Sequence, residues 1–408
     1  MDDHLPTVAE KRTSSCPSQS VPQQPLHEVV TVTPTYIESH AALRGIAAFT
    51  VVMAHLHAWD LFPQWPWLRD AYQIFDWSDL AVFLFFILSG FVMSHVYPSP
   101  VNWRHFFIAR LARLAPVYEV TLLITCVLVM IPVFHLTIPN VDNFIANLLM
   151  IQQWLPVPGW YSINAPAWSL SIEAMLYVVA FPLLIWSRKL PWNKFLYGLL
   201  IGGGALWATT YYNIYGTDLW HRWDLPILSG LFGFGIGFSM QHLMGKGLRH
   251  SNIIAVVGIA IMACSLFHWI LPHGATALGL ILIVASTVKA KALPYKLIAR
   301  PLFLYLGDIS YSLYLWNLPI LIFLQEARAH MEYHHLITSS EITNFRMAFV
   351  ILALALIFTV SHLSYYKLEV PLRRLIRNRL MPISSEKISS VGFEAQTWGR
   401  TNALKNST

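Results

Sequence analysis

Two ionisable side chains with the spacing of one helix face stand at the start of the apolar part of the chain. Ten residues separate Arg44 from His55. Eleven steps of 100° are about 20° more than three turns, so on an α-helix both side chains share a face, roughly 16 Å apart along the axis. Ionisable groups inside a membrane span are costly and are often functional. A snorkelling arginine and an interfacial histidine would give the same pattern.

Two other polar residues interrupt segments that are otherwise long enough to cross a membrane. Glu173 lies in PAWSLSIEAMLYVVAFP, and Asn317 lies in YLGDISYSLYLWNLP together with Ser310 and Tyr311. A carboxylate in such a segment needs a partner from another helix, and asparagine often bonds between helices. At 1.5 Å per residue, Glu173 and Asn317 fall at a depth close to that of His55. They are candidate site residues, with structural hydrogen bonds as the alternative.

Arg110 and Arg113 form an Arg-x-x-Arg pair in FFIARLARLAPVY, beside a long apolar stretch. Residues at i and i+3 lie on the same face of a helix. Two guanidiniums at a membrane surface suit a phosphate or pyrophosphate, which arginine binds through paired donors. Anchoring to anionic lipid head groups is the alternative.

The composition predicts an all-α integral membrane protein. Hydrophobic residues make up 56% of the 408 residues, charged residues only 12%, and the mean hydropathy is +0.51. Soluble domains carry about 25% charged residues, and a span needs about 20 residues. A shorter piece, 141–154, is predicted to be re-entrant or interfacial. Ten transmembrane segments are predicted: 41–59, 78–97, 113–134, 166–186, 194–213, 225–243, 252–270, 273–288, 302–325 and 346–366.

The basic residues are distributed in a way that predicts the orientation of these spans. If the N-terminus is cytoplasmic and ten spans alternate, 23 of the 27 Lys and Arg residues fall on the cytoplasmic side. The remaining four are Arg69, Arg222, Arg328 and Arg346. This bias obeys the positive-inside rule and places both termini in the cytoplasm. The net charge of +6 therefore reports topology, and no nucleic-acid partner is predicted.

The chain divides into three predicted regions. Residues 1–39 are rich in Ser, Pro and Gln and form a disordered cytoplasmic tail without the apolar core of a signal peptide. Residues 40–380 form the transmembrane domain, and 381–408 form a polar C-terminal tail. Three isolated cysteines predict neither a disulfide framework nor a metal site. Ser89 in FILSGF lacks the glycines of a nucleophile elbow, so close packing is its expected role.

Six sequence blocks, in one order along residues 40–375, resemble the acyltransferase-3 family of multi-pass membrane acyltransferases. The resemblance implies that Arg44 and His55 are essential for catalysis. The blocks are ALRGIAAFTVVMAH, FLFFILSGFVMS, FFIARLARLAPVY, PAWSLSIEAMLYVVAFP, YLGDISYSLYLWNLP and YYKLEVPLRR.

The other candidate residues also map onto the family pattern, with two departures. Arg110 and Arg113 correspond to its arginine pair, and Glu173 corresponds to its acidic residue. Asn317 stands where family members often have a histidine. Phe83 stands where they often have an acidic residue.

The resemblance implies a membrane O-acyltransferase. A bacterial inner (plasma) membrane is its expected location, and the Ser- and Pro-rich N-terminal region leaves a eukaryotic membrane as the alternative. Acyl-CoA, in the first place acetyl-CoA, would be a co-substrate from the cytoplasm, with no permanently bound cofactor. The acceptor would be a hydroxyl of a glycan, glycolipid or glycosylated small molecule, so the expected partners are membrane lipid, acyl-CoA and this acceptor. His55 would act as base or acyl carrier, Glu173 would orient the imidazole or bind sugar, and Ser310 and Tyr311 would stabilise the oxyanion.

A polytopic transporter or flippase of a glycan or lipid precursor is the alternative function. Several spans with polar residues at middle depth would suit a transporter. The sequence contains no obvious inverted repeat, which favours the enzyme.

Overall fold

The computed structural model describes most of the predicted transmembrane domain. Its regular secondary structure is helical throughout the described ranges. The predicted tails fall outside the described residues apart from 38, 39 and 381, and so do Arg69 and Arg222. The described ranges are 38–58, 78–97, 100–131, 139–215, 224–245, 247–266, 271–272, 274–287, 293–335 and 339–381.

Each of the ten predicted spans overlaps one of the helices that the structure describes. In α5 and between α12 and α13 the helix continues through a short π-helical turn. The helices are α1 (Glu38–Ala58), α2 (Ser78–Val96), α3 (Trp103–Met130), α4 (Val141–Leu148), α5 (Ala165–Ser187), α6 (Asn193–Tyr215), α7 (Asp224–Met244), α8 (Ser251–Leu266), α9 (Ala275–Thr287), α10 (Leu293–Ile298), α11 (Pro301–Tyr333), α12 (Ser339–Ser364) and α13 (Val370–Leu380).

Six of the described helices are long and apolar enough to cross a membrane. They are α1, α2, α3, α5, α7 and the continuous α12–α13 rod, while α8 and α9 are apolar but shorter. The prediction of an all-helical domain with several candidate membrane spans is confirmed. The count of ten spans and the orientation of the termini remain predictions. Several boundaries differ: α3 begins at Trp103 instead of 113, α11 continues to Tyr333 instead of ending at 325, and the α12–α13 rod continues to Leu380.

The short segment predicted to be re-entrant or interfacial contains α4. Its eight residues are about 12 Å long, too short for a bilayer. Val141, Ile145 and Leu148 are exposed on one side, whereas Asn143 and Asn147 are fully buried on the other. This amphipathic arrangement agrees with an interfacial position.

Helices α1 and α11 are parallel neighbours that touch through their backbones. A Cβ atom on Gly307 would lie 2.2 Å from the carbonyl oxygen of Ala41, and one on Gly45 would lie 2.5 Å from the Gly307 nitrogen. Only glycine permits such an approach between two helices. The contact fixes the register of the two helices. As a consequence, His55 meets Asn317 ten residues further along each helix.

Helices α2 and α7 form the second close contact. A Cβ atom on Gly90 would lie 2.0 Å from the Phe234 carbonyl oxygen, and one on Gly237 would lie 1.8 Å from that of Ile87. Around it lie the fully buried rings of Phe83 and Phe91, which belong to the main hydrophobic core. Close packing thus brings α2 to the centre of the domain.

Two π-helical turns interrupt the regular helices, and the sequence analysis does not predict them. One covers Leu176–Ala180 inside α5, and the other covers Tyr365–Glu369 between α12 and α13. Each carries a buried polar side chain, Tyr177 in the first and Glu369 in the second. Such turns are rare and often occur at functional sites.

The α1–α11 contact gives a first prediction. Gly307→Ala should destabilise the protein by about 1–3 kcal/mol, because the added methyl group overlaps the α1 backbone. The measurement is the apparent melting temperature of the detergent-solubilised protein. Gly202→Ala is the matched control, since a Cβ atom there meets nothing within 4 Å. Equal melting temperatures for the two variants would show that α1 and α11 are not in backbone contact.

Candidate active site

His55 on α1 is held by Asn317 on α11. The distance between His55 Nδ1 and Asn317 Oδ1 is 2.7 Å. The Asn317 Nδ2 group donates to the carbonyl oxygens of Leu313, at 3.3 Å, and Tyr314, at 2.6 Å. The amide nitrogen is thereby directed to its own helix, and the oxygen, an acceptor only, faces the imidazole. Nδ1 of His55 must therefore carry the hydrogen, which leaves the lone pair on Nε2.

This arrangement gives the His55 imidazole a fixed tautomer. A buried neutral carboxamide orients the ring without adding a charge, and the partly exposed His55 presents Nε2 as a proton acceptor. The expectation that Glu173 orients the imidazole is wrong in the structure, because the Nδ1 partner is Asn317. Asn317, at the position where family members often have a histidine, therefore orients the His55 ring.

Glu173 belongs to a second polar cluster between α2 and α5. The Ser89 hydroxyl donates to Glu173 Oε1 at 2.9 Å, and the Tyr177 hydroxyl donates to the same oxygen. The two hydroxyl oxygens are 3.0 Å apart. The expectation that Ser89 serves packing alone is therefore wrong. Its hydroxyl and that of Tyr177 both donate to one oxygen of a carboxylate within the domain.

Arg110 extends this cluster toward the end of the bundle at which α1 begins. Its NH2 group donates to the Tyr97 hydroxyl at 3.3 Å. Its Cζ atom lies 5.6 Å from the centre of the Tyr97 ring and 5.8 Å from that of the Tyr177 ring, within cation–π range. Through Tyr177, Arg110 is thus connected to Glu173.

Arg113 has a different environment from Arg110, one helical turn away. It is partly exposed, and its guanidinium makes no hydrogen bond or ion pair with any residue that the structure describes. Of the predicted arginine pair, Arg113 is therefore the member open to an anionic ligand. Arg44 lies near the beginning of α1, and the charges of Arg44 and Arg113 both act on the carboxylate of Glu369. These residues, Arg44, Arg110 and Arg113, define the arginine end of the bundle.

Ser310 and Tyr311 do not have the role that the sequence suggests. The Ser310 hydroxyl donates to the carbonyl of Gly307 at 2.7 Å, and the Tyr311 hydroxyl donates to that of Leu114 at 2.5 Å. Both hydroxyl hydrogens are committed to backbone carbonyls, so neither is available to an oxyanion. Tyr311 instead joins α11 to α3, next to Arg113.

A buried carboxylate near the start of α2 also escaped the sequence analysis. Asp79 is only 2% exposed and lies one helical turn before the fully buried Phe83. Phe83 stands where the resemblance implies an acidic residue. Asp79 supplies an acidic group on the same face of the helix, one turn closer to the helix start. Within the described ranges, no group of three or more His, Cys, Asp or Glu side chains is arranged to hold a metal ion.

Comparison with known proteins gives a family and several bacterial relatives. The family model described as an acyltransferase domain matches residues 39–366. The peptidoglycan O-acetyltransferase OatA of Listeria monocytogenes is 25% identical over 379 residues, which cover 83% of this chain and 56% of the relative. The O-acetyltransferase OatA of Staphylococcus aureus is 26% identical over 333 residues, 71% of this chain and 51% of the relative.

A third relative matches a shorter part of the chain. The acyltransferase MdmB of Streptomyces mycarofaciens is 32% identical over 159 residues, 37% of this chain and 39% of MdmB. The matches thus span between 39% and 56% of the length of these curated relatives. No solved structure matches the chain. Because the family model extends from α1 to the π-helical turn that follows α12, the chain belongs to the acyltransferase-3 family.

Proposed function

We propose that this protein is a membrane O-acyltransferase that moves an acyl group, in the first place acetyl, from acyl-CoA to a hydroxyl acceptor. The observation that carries the proposal is the contact between His55 and Asn317. It fixes the imidazole in the tautomer that a base for hydroxyl activation needs, with Nε2 as the acceptor. Membership of the acyltransferase-3 family supports the same reaction class.

The proposed reaction is a direct transfer that balances with His55 alone. Nε2 accepts the proton of the acceptor hydroxyl while the hydroxyl oxygen attacks the thioester carbonyl. The new C–O bond forms, the C–S bond breaks, and the departing CoA thiolate takes the proton back from Nε2. Asn317 keeps Nδ1–H in a hydrogen bond throughout, so the ring holds its orientation in both protonation states.

The distance between the arginine end and His55 supports acyl-CoA as the donor. Arg44 and His55 are about 16 Å apart along α1. The pantetheine arm of CoA is on the order of 15–20 Å long when extended. A donor with its phosphates at Arg113 would therefore bring its thioester to the level of His55. Arg110, which is held by Tyr97 and Tyr177, would lie beside the bound donor at the arginine end of the bundle.

For the acceptor we propose a glycan, a glycolipid or a glycosylated small molecule. The support comes from the relatives, one of which is named a peptidoglycan O-acetyltransferase. Ser89 and Tyr177 both donate to Oε1 of Glu173, so the carboxylate would bind the acceptor through Oε2.

The number of transmembrane spans and the side of the membrane on which the termini lie are part of the proposal. Ten spans with both termini in the cytoplasm would place the arginine end on the cytoplasmic side, where acyl-CoA is available. The positive-inside bias of the basic residues supports this orientation. So does the overlap of every predicted span with a helix. The relatives come from bacteria, which supports a bacterial inner membrane.

Replacement of His55 tests the proposed chemistry. His55→Ala should reduce transfer of label from radiolabelled acetyl-CoA to a host extract of glycans and lipids by at least about 100-fold, the scale of a general base. Membranes with equal amounts of folded protein are compared, and His57→Ala on the same helix is the matched control. Full activity of His55→Ala would contradict the proposal. Transport of an unmodified glycan without acyl-CoA consumption would favour the transporter.

Asn317 is proposed as a positioning residue, and its replacement separates orientation from binding. Asn317→Leu should lower kcat about 10- to 100-fold, as for other groups that orient a functional histidine, with little change in the KM for acetyl-CoA. Asn317→Asp keeps an acceptor oxygen for Nδ1–H and should retain more activity than the leucine variant. Equal activity of both variants would contradict the assigned tautomer. A rise in KM alone would assign Asn317 to substrate binding.

A further inference from the structure

A buried ion pair lies at the arginine end, outside the residues that the proposed reaction uses. Glu369 closes the π-helical turn Tyr365–Glu369 and pairs with Arg373 one turn later. The Ser312 hydroxyl of α11 donates to the other carboxylate oxygen of Glu369 at 3.0 Å. Both oxygens of this carboxylate are thus engaged, one by a charge and one by a hydroxyl.

More positive than negative charge converges on this pair. The guanidiniums of Arg44 on α1 and Arg113 on α3 both act on Glu369, in addition to Arg373. Arg373 in turn is repelled by Arg113 and Arg110. Of the other acidic groups of this region, Glu173 is engaged by Ser89 and Tyr177. Asp308 is exposed, and its charge acts on Tyr365 and Tyr366.

Stability alone does not explain such an arrangement. A buried ion pair contributes little net stability, because desolvation of the two charges offsets their attraction. The neighbouring arginines attract the Glu369 carboxylate, but Arg113 and Arg110 repel the Arg373 guanidinium. An added anion would relieve the repulsion among the arginines, so the cluster has the electrostatics of an anion site.

The exposure of the two partners indicates the direction from which an anion would arrive. The Arg373 side chain is 16% exposed, whereas that of Glu369 is 2% exposed. Arg373 is thus the more exposed partner of the pair, and an incoming anion would meet it before Glu369. Arg113 is partly exposed as well. Guanidiniums of this kind match the paired oxygens of a phosphate.

We propose that Arg373 and Arg113 bind a phosphate group of the donor, and that Glu369 is the counter-ion that this phosphate displaces from Arg373. The inference rests on the proposed function, since it names the donor as a phosphorylated acyl carrier. In the unliganded protein Glu369 holds Arg373 in place. On binding, the phosphate replaces the carboxylate as the partner of the guanidinium.

A lipid head group offers the same phosphate chemistry, so the experiment separates the two sources. Binding of coenzyme A to the full-length protein is measured in dodecyl maltoside, a detergent without phosphate, by equilibrium binding and by the shift in melting temperature. Pantetheine, which lacks the phosphates, should give no shift. Phosphatidylglycerol is added in a separate arm. Stabilisation by this lipid and not by coenzyme A, with dependence on Arg373, would overturn the donor assignment.

Opposite effects of the two partners distinguish a phosphate site from a structural ion pair. Arg373→Ala should weaken coenzyme A binding at least about tenfold, the scale of a lost charge-assisted hydrogen bond. Glu369→Gln should lower the melting temperature without ligand, yet bind coenzyme A at least as tightly as the wild type. Arg374→Ala, at an exposed position beside Arg373, is the matched control and should bind normally.

Several outcomes would overturn the inference. Unchanged binding by Arg373→Ala would do so, and so would equal weakening by Glu369→Gln and Arg373→Ala. If Arg373→Ala does not fold, Arg373→Lys keeps the charge without the planar fork and should still bind more weakly than the wild type. Binding of coenzyme A that depends on Arg373, without any acyl transfer by the wild type, would overturn the proposed function and keep the phosphate site. Acyl transfer by the wild type, together with coenzyme A binding that Arg373→Ala leaves unchanged, would keep the proposed function and overturn the phosphate site.

Discussion

The backbone contact between α1 and α11 sets the geometry on which the candidate active site depends. Gly45 and Gly307 let two parallel helices approach more closely than any side chain would permit. Since both helices rise at the same rate, the register at this contact also determines which residues meet further along. Ten residues on, it brings the imidazole of His55 to the amide of Asn317. A shift of one residue in either helix would separate them.

The polar groups of the domain are arranged as separate clusters, and each joins different helices. His55 and Asn317 connect α1 with α11, whereas Ser89 and Glu173 connect α2 with α5. An unsatisfied polar group in an apolar surrounding costs about 1–3 kcal/mol or more, so each cluster favours one packing of its helices. Chemistry and helix assembly therefore depend on the same hydrogen bonds.

The sequence was sufficient for the helical class and for the residues that interrupt the apolar helices. Arg44 and His55 do lie on one continuous helix, and Asn317, an outlier in an apolar segment, is the partner of His55. The pairing itself was not predictable, because helix periodicity shows which residues share a face but not which helices are neighbours. Glu173 has the hydrogen bond to a neighbouring helix that the sequence offers as an alternative, and it does not orient His55.

The pattern of apolar residues also did not predict where the helices are irregular. The π-helical turns at Leu176–Ala180 and Tyr365–Glu369 change the face on which later residues lie, and nothing in the apolar pattern marks them. The role of Ser89 was missed for another reason. A small residue beside a glycine is typical of close packing, and only the neighbouring helix shows that its hydroxyl also serves a carboxylate.

The separation of His55 and Asn317 along the chain has a consequence for biogenesis. The two residues are 262 positions apart. At a synthesis rate of about 5–20 residues per second, α11 leaves the ribosome on the order of ten seconds to a minute after α1. During this interval α1 resides in the membrane without the helix that covers its glycine face and its imidazole. The helix that carries the imidazole is thus completed by a helix that is synthesised more than 200 residues later.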